Sequence, residues 1–276
     1  MKIDAHQHFW KYDPVRDSWI TDDMSVIKSD FFPNNLQATL KRNGFDGCVA
    51  VQADQSEEET LFLLDLAARH DFIKGVVGWI DLRSDHVQSR LGFFARFKKL
   101  KGFRHIVQGE TDENFLLGDA FCHGIKLLAN YRFSYDLLVK PHQLKSAIQF
   151  VKKFPDQFFV IDHLAKPFIK DQLLGDWKKE MAQLGQFENV SCKISGMVTE
   201  ADWKNWKTAD FKPYIDHVIS SFGTDRIMFG SDWPVCLVAG NYEQVIEVVE
   251  KNTAHLSQHE KKLLWGVNAE NFYDLY

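Results

Sequence analysis

KIDAHQHFW, residues 2–10, opens the chain with a short apolar run that ends in two histidines one residue apart. It reads as a β-strand, and its continuation, with no Gly-rich phosphate turn, argues against an open dinucleotide-binding sheet. Seven further runs repeat the type: FDGCVAVQ (45–52), IKGVVGWIDL (73–82), LKGFRHIV (100–107), FSYDLLV (133–139), FFVIDHLA (158–165), NVSCKISG (189–196) and RIMFGSD (226–232). Amphipathic stretches separate them, over 34–43, 57–70, 86–98, 113–129, 142–153, 172–186 and 211–221, with 241–251 and 258–275 closing the chain. Strands alternating with helices predict βα units and parallel pairing. Eight such units in 276 residues predict one α/β domain over 1–276, a (β/α)8 TIM barrel.

Bulk properties narrow the function. With 38 acidic against 33 basic residues the net charge is −5, and no basic block is present, so nucleic acid is not an expected partner. No apolar run reaches the roughly 20 residues of a membrane span, and the first residues lack the apolar stretch of a signal peptide. Cys48, Cys122, Cys192 and Cys236 are dispersed, as free thiols in a reducing compartment would be. A cytoplasmic protein without membrane attachment is expected.

Successive strand residues alternate faces, so His6 and His8 share one face at the end of the first strand and converge on one point. Imidazole is the commonest zinc ligand, although an isolated HxH pair is read equally well as a surface pair. His163 follows FFVI at the end of the sixth strand, and Asp232 follows IMFGS at the end of the eighth. Taken singly they are a core histidine and a turn aspartate before Pro234. Together, three histidines and a carboxylate fall at the carboxyl ends of barrel strands, where such enzymes keep their chemistry. Lys193, Arg104, His105, Asp136 and Asp81 lie within otherwise apolar strands, and each needs a partner or a ligand. Lys193, Arg104 and His105 are substrate-binding candidates, with Gln52 as a neutral hydrogen-bonding group and Trp79 as an apolar wall. For Asp136 and Asp81 a structural ion pair is an equal alternative. Long connections after the first strand (Phe9 to about Phe32, with Trp10 and Trp19) and the seventh (Ser195 to about Asp210, with Trp203 and Trp206) are expected to shape a binding face. No GxSxG elbow surrounds Ser231.

DAHQHFW, CVAVQAD, GVVGWIDL, KGFRHIVQ, FSYDLLV, VIDHLAKP, VSCKISGMV and RIMFGSDWPV, in this order over nearly the whole chain, resemble the sugar-lactonase branch of the amidohydrolase superfamily. The resemblance implies a metal-dependent-hydrolase barrel with His6, His8, His163 and Asp232 as site positions, catalytic and metal-ligating. It implies a hydrolase that opens a small sugar-derived lactone, of the L-fucono- or L-rhamnonolactonase type. One divalent ion, zinc first, is the implied cofactor, and a metal-independent reaction is also compatible with the branch. FSYDLLV carries neither the lysine nor the histidine that many members use as a ligand on the fifth strand, which argues against two metals. Alternatives on the same barrel are a pyrone-dicarboxylate lactonase, for which Arg16, Arg83 and Arg104 are the candidate carboxylate partners, a metal-dependent decarboxylase, and a non-catalytic sugar- or metal-binding barrel.

Overall fold

The computed structural model describes residues 1–276. Its strands are β1 (Ile3–Gln7), β2 (Gly47–Val51), β3 (Ile73–Gly78), β4 (Leu100–His105), β5 (Ser134–Leu137), β6 (Phe159–Ile161), β7 (Val190–Ile194) and β8 (Ile227–Phe229), paired in parallel in chain order. The ring closes just beyond β8: Asp232 N donates to His6 O at 2.8 Å and His8 N donates to Trp233 O at 2.7 Å. The expected (β/α)8 barrel is therefore what the chain forms.

Helices α1 (Pro33–Arg42), α2 (Glu57–Arg69), α3 (Val87–Phe94), α4 (Asp119–Leu128), α5 (Leu144–Lys152), α6 (Gly175–Leu184), α7 (Lys212–Phe222) and α8 (Tyr242–Asn252) alternate with the strands, and α9 (Gln258–Lys262) and α10 (Asn268–Tyr273) follow. Local chemistry starts them. Pro33 opens α1, and Ser56 caps α2 through Glu59 N, ahead of a first turn carrying Glu57, Glu58 and Glu59. Asn241 and Gln244 cap α8 reciprocally.

Two apolar layers result. The larger lies between strands and helices and holds Phe94, Phe103, Phe121, Phe150 and Phe159. The smaller fills the barrel with Ile3, Ala5, Val49, Val51, Val77, Val160 and Met228, and Tyr273 of α10 packs with it. A register shift in β1 between Asp4 and Gln7 breaks the inside-outside alternation. Ala5 belongs to the interior layer, yet His6 also meets interior side chains, and Asp4 turns away to Tyr242 of α8.

Several expected elements are shorter than their sequence patterns, and three of them show why. The helix over 113–129 begins at Asp119, behind a one-turn 3-10 segment at Phe115–Leu117. The terminal helix over 258–275 is interrupted near Gly266, where a Cβ would lie 1.8 Å from Met1 O, so the first residue of the chain packs into the break. The strand over 158–165 ends at Ile161, because His163, Leu164, Ala165 and Lys166 all have φ between 50 and 56°. Four consecutive left-handed non-glycine residues cost about 1–2 kcal/mol each. Strain of this kind gathers at functional sites.

Candidate active site

Four side chains from three strand ends meet at the carboxyl end of the barrel. His6 Nε2 lies 3.3 Å from His8 Nε2, and His8 Nε2 lies 3.3 Å from Asp232 Oδ1. The same oxygen is 3.9 Å from His6 Nε2 and 3.8 Å from His163 Nε2. Closure of the barrel creates this grouping, since the two hydrogen bonds that join β1 to the segment after β8 involve His6, His8 and Asp232 themselves. Gly230 permits the approach, because a Cβ there would stand 2.6 Å from His6 Cβ. Gly196, at φ +60°, makes room for His163, whose Nδ1 would lie 2.4 Å from a Cβ.

Asp4 is the hidden support of the seam. Its Oδ1 accepts from Ser231 N (2.9 Å) and from His6 N (3.2 Å), and its Oδ2 accepts from the hydroxyls of Ser231 (2.6 Å) and Tyr242 (3.0 Å). The carboxylate thus satisfies the His6 N–H beside the register shift and ties β1 to the turn that carries Asp232.

The donor set suits a divalent cation. His8 Nδ1 faces the carbonyl oxygen of Val51 at 2.8 Å, so it donates, and a neutral His8 presents the Nε2 lone pair to Asp232 Oδ1. Two acceptors in opposition require a cation or a proton between them. Zinc–ligand bonds of roughly 2.0–2.1 Å in a tetrahedron hold donor atoms roughly 3.3 Å apart, close to the 3.3–3.9 Å separations among His6, His8 and Asp232, and His163 stands beside that trio, 3.8 Å from Asp232. Burial lowers the pKa of His163 to about 4 and that of His6 well below the usual imidazole range. Burial opposes ionisation of Asp232, and the positive charge that His163, His8 and His6 can carry outweighs it and holds the carboxyl low, a role a bound cation would take over when the imidazoles are neutral. The protein therefore offers neutral imidazoles and a carboxylate, the forms that bind metal. Fully buried behind them, Arg104 Nη1 donates to Asp162 Oδ2 at 2.9 Å, and Lys193 Nζ lies 2.5 Å from Asp136 Oδ2 and 3.0 Å from Asp162 Oδ1.

A cavity of about 320 Å³ opens over the cluster, lined by His8, Arg104, His163 and Asp232 below, and by Trp10, Trp19, Ile106, Leu138 and Val235 on its apolar sides. Gln108, Lys140 and Lys166 add polar groups, and Lys166 is paired with Glu200 at 2.8 Å. A more open groove of about 630 Å³ beside Met1 and Trp265 belongs to the opposite end of the barrel, far from the histidine cluster.

The substrate-binding candidates divide. Only Arg104 lines the cavity. Lys193 is fully buried in the ion-pair network, and Gln52 is held against Arg104, accepting from Nη2 through Oε1 at 3.2 Å. His105 faces away, between Glu110 (2.7 Å) and the indole N–H of Trp79 (3.1 Å), and that bond holds Trp79 as well. β3 ends before Asp81, which is half-exposed and pairs with Arg83 at 2.9 Å, so it is not a buried strand charge. Arg16 is likewise occupied by Asp17. Of the two long loops, the first supplies Trp10 and Trp19. The second turns its indoles elsewhere, Trp203 to Thr199 O and Trp206 to Ala239 O, each at 2.8 Å. Asp4 and Asp162 escaped sequence reasoning. Each is an acidic residue within a mostly apolar strand run, the signal that singles out Asp136.

The amidohydrolase family model matches residues 3–275. The chain belongs to this family. It is 37% identical over its full length to an L-fucono-1,5-lactonase of Burkholderia multivorans, covering 96% of that protein. It is also 23% identical, over 66% of its length, to an L-rhamnono-gamma-lactonase of Scheffersomyces stipitis, covering 61% of that protein. A crystal structure of a Burkholderia multivorans amidohydrolase with bound zinc superposes with a TM-score of 0.97 at 37% identity, covering both chains completely. The family, that zinc-bound relative and the His/Asp cluster agree on a candidate metal site. No helix is long and apolar enough to cross a membrane.

Proposed function

We propose that this amidohydrolase opens a small sugar-derived lactone to its hydroxy acid, as an L-fucono-1,5-lactonase does. The observation that carries the reading is the meeting of three imidazoles with Asp232, of which His8, His163 and Asp232 line the floor of a cavity with one polar end and apolar sides and His6 lies just beneath, in a chain 37% identical to such a lactonase from end to end. Asp232 accepts the proton of the attacking water as oxygen adds to the lactone carbonyl. The ring C–O bond then breaks, and Asp232 returns that proton to the leaving alkoxide, so one water is consumed and no proton remains on the enzyme. Arg104, at the cavity floor, supplies a donor and a positive charge beside the developing oxyanion. His6, His8, His163 and Asp232 would hold one divalent ion, zinc in our reading, which when bound lowers the pKa of water toward ~7 and polarises the carbonyl.

Ile106, Leu138 and Val235 suit the methyl group of a 6-deoxy sugar, which fucose and rhamnose share. With Arg16 and Arg83 committed to neighbouring aspartates, one guanidinium remains at the cavity, too few for a dicarboxylate lactone. The four unpaired cysteines fit a reducing, cytoplasmic setting. The test is acid release from a lactone panel, followed with a pH indicator on metal-analysed protein before and after chelation. We expect L-fuconolactone to exceed L-galactonolactone, its 6-hydroxylated counterpart, by about 10- to 100-fold, the discrimination an apolar pocket gives. Acid release from none of the lactones, or fastest turnover of pyrone dicarboxylate, would overturn the reading.

A further inference from the structure

Each ring nitrogen of His6 faces one group that can only donate and one that can accept. Nδ1 lies 3.1 Å from Lys193 Nζ and 3.2 Å from Asp162 Oδ1. Nε2 lies 3.2 Å from Arg104 Nη1 and 3.3 Å from His8 Nε2, a lone pair when His8 is neutral. A neutral imidazole has one N–H and one lone pair, so two arrangements are possible, and each is matched. In the first, Nδ1–H faces Asp162 and Nε2 accepts from Arg104. In the second, Nδ1 accepts from Lys193 and Nε2–H donates to His8. His8 has no such choice, because Val51 O holds its Nδ1–H. Lys193 and Asp162 have no solvent exposure, so water does not substitute for either partner.

We propose that Lys193 and Asp162 are positioning residues that make His6 a two-state tautomer switch, read out by whether a metal ion is bound. With a cation in the cluster, Nε2 must supply its lone pair, and Asp162 receives Nδ1–H in the carboxylate–histidine arrangement that orients metal ligands. Without a cation, the His8 Nε2 lone pair 3.3 Å away takes its donor from His6, so Nε2–H donates to it and Nδ1 accepts from Lys193. The proton leaves Nε2 and reappears on Nδ1, so the ring stays neutral and the two buried carboxylates keep their partners. The switch gives the same residues a lone-pair form for a metal and a donor form that keeps the metal-free cluster hydrogen-bonded. It rests on reading the cluster as a cation site and not on which lactone is the substrate.

The experiment is nitrogen NMR of the full-length protein labelled with [¹⁵N]histidine, stripped with chelator and then titrated with zinc chloride. His6 signals are assigned from a His6→Gln spectrum. We expect His6 Nδ1 to be unprotonated in the stripped protein and protonated in the loaded one, while His8 Nδ1 stays protonated in both. Zinc uptake with no change at His6 Nδ1 overturns the switch and leaves the metal-site reading intact. No zinc uptake at all overturns both. As a second measurement, Asp162→Asn, which puts an amide N–H opposite Nδ1, should weaken zinc binding by about 10- to 100-fold. Lys193→Met removes the competing donor and should leave zinc affinity within a few-fold of wild type while keeping His6 Nδ1 protonated even in the stripped protein. Equal loss of zinc affinity in both folded variants would reduce the pair to general structural support and sink the proposal.

Discussion

Removing Asp4 should damage both the fold and the metal site, although its side chain never reaches the cavity. Asp4→Ala withdraws the acceptor used by Ser231 N, His6 N and the hydroxyls of Ser231 and Tyr242. An orphaned buried donor costs about 1–3 kcal/mol, so four would cost about 4–12 kcal/mol at most. Two effects reduce that figure: the Ser231 and Tyr242 hydroxyls can rotate toward other acceptors, and a buried carboxylate whose pKa burial has raised to about 6 no longer has to be desolvated. A net loss of about 3 kcal/mol is expected. Asp4→Asn is the control. Its carbonyl oxygen can take both backbone N–H groups and its amide can donate to the two hydroxyls, so the loss should stay near 1 kcal/mol. Urea unfolding of the metal-free proteins measures both values, and zinc titration by calorimetry measures the site. Alanine and asparagine variants of equal stability, or an alanine variant within about 0.5 kcal/mol of wild type, would refute the account of the seam.

Three further outcomes follow from the same geometry. Asp232→Asn should lower turnover by about 10²- to 10⁴-fold with an unchanged circular dichroism spectrum, and a fully active variant would remove Asp232 from the chemistry. Gly196→Ala forces a Cβ into His163 Nδ1 at a left-handed backbone position, and a displaced imidazole should cost about 100-fold in kcat, so an unaffected kcat would contradict the packing. Glu59 accepts from the Ala53 and Asp54 N–H groups, but burial raises its carboxyl from 4.5 to about 8. The folded chain therefore keeps a proton that the unfolded chain releases, and this contribution to stability fades as pH rises from about 4.5 to about 8. Melting temperatures across that range should fall less steeply in Glu59→Gln, and parallel curves would count against the raised pKa.

The repeating strand-and-helix pattern was enough for the barrel because period and spacing are local properties of the chain. The HxH pair, His163 and Asp232 could be read as well, since each ends an apolar run and the fold puts strand ends together. What lay out of reach depends on side-chain direction. Lys193 and Arg104 look alike in the sequence, as charges in apolar strands, yet Arg104 reaches the cavity and Lys193 does not. The register shift in β1 had no residue signature, and it allows Ala5 and His6 both to meet the interior while Asp4 turns away. The left-handed run through His163 to Lys166 contains no glycine, so ordinary turn chemistry gave no warning of it.

The closing seam also bears on how the protein is made. His6 and His8 leave the ribosome early, whereas Asp232 arrives near the end of synthesis, and the two meet only when the segment after β8 docks on β1. A nascent chain that has not yet reached that segment cannot assemble the four-ligand cluster, so it should not sequester a metal through it before the barrel is complete. Once the ring shuts, a bound ion would link the two ends of the fold at their last point of assembly. Metal loading would then mark completed synthesis, and metal content would measure how many molecules have finished folding.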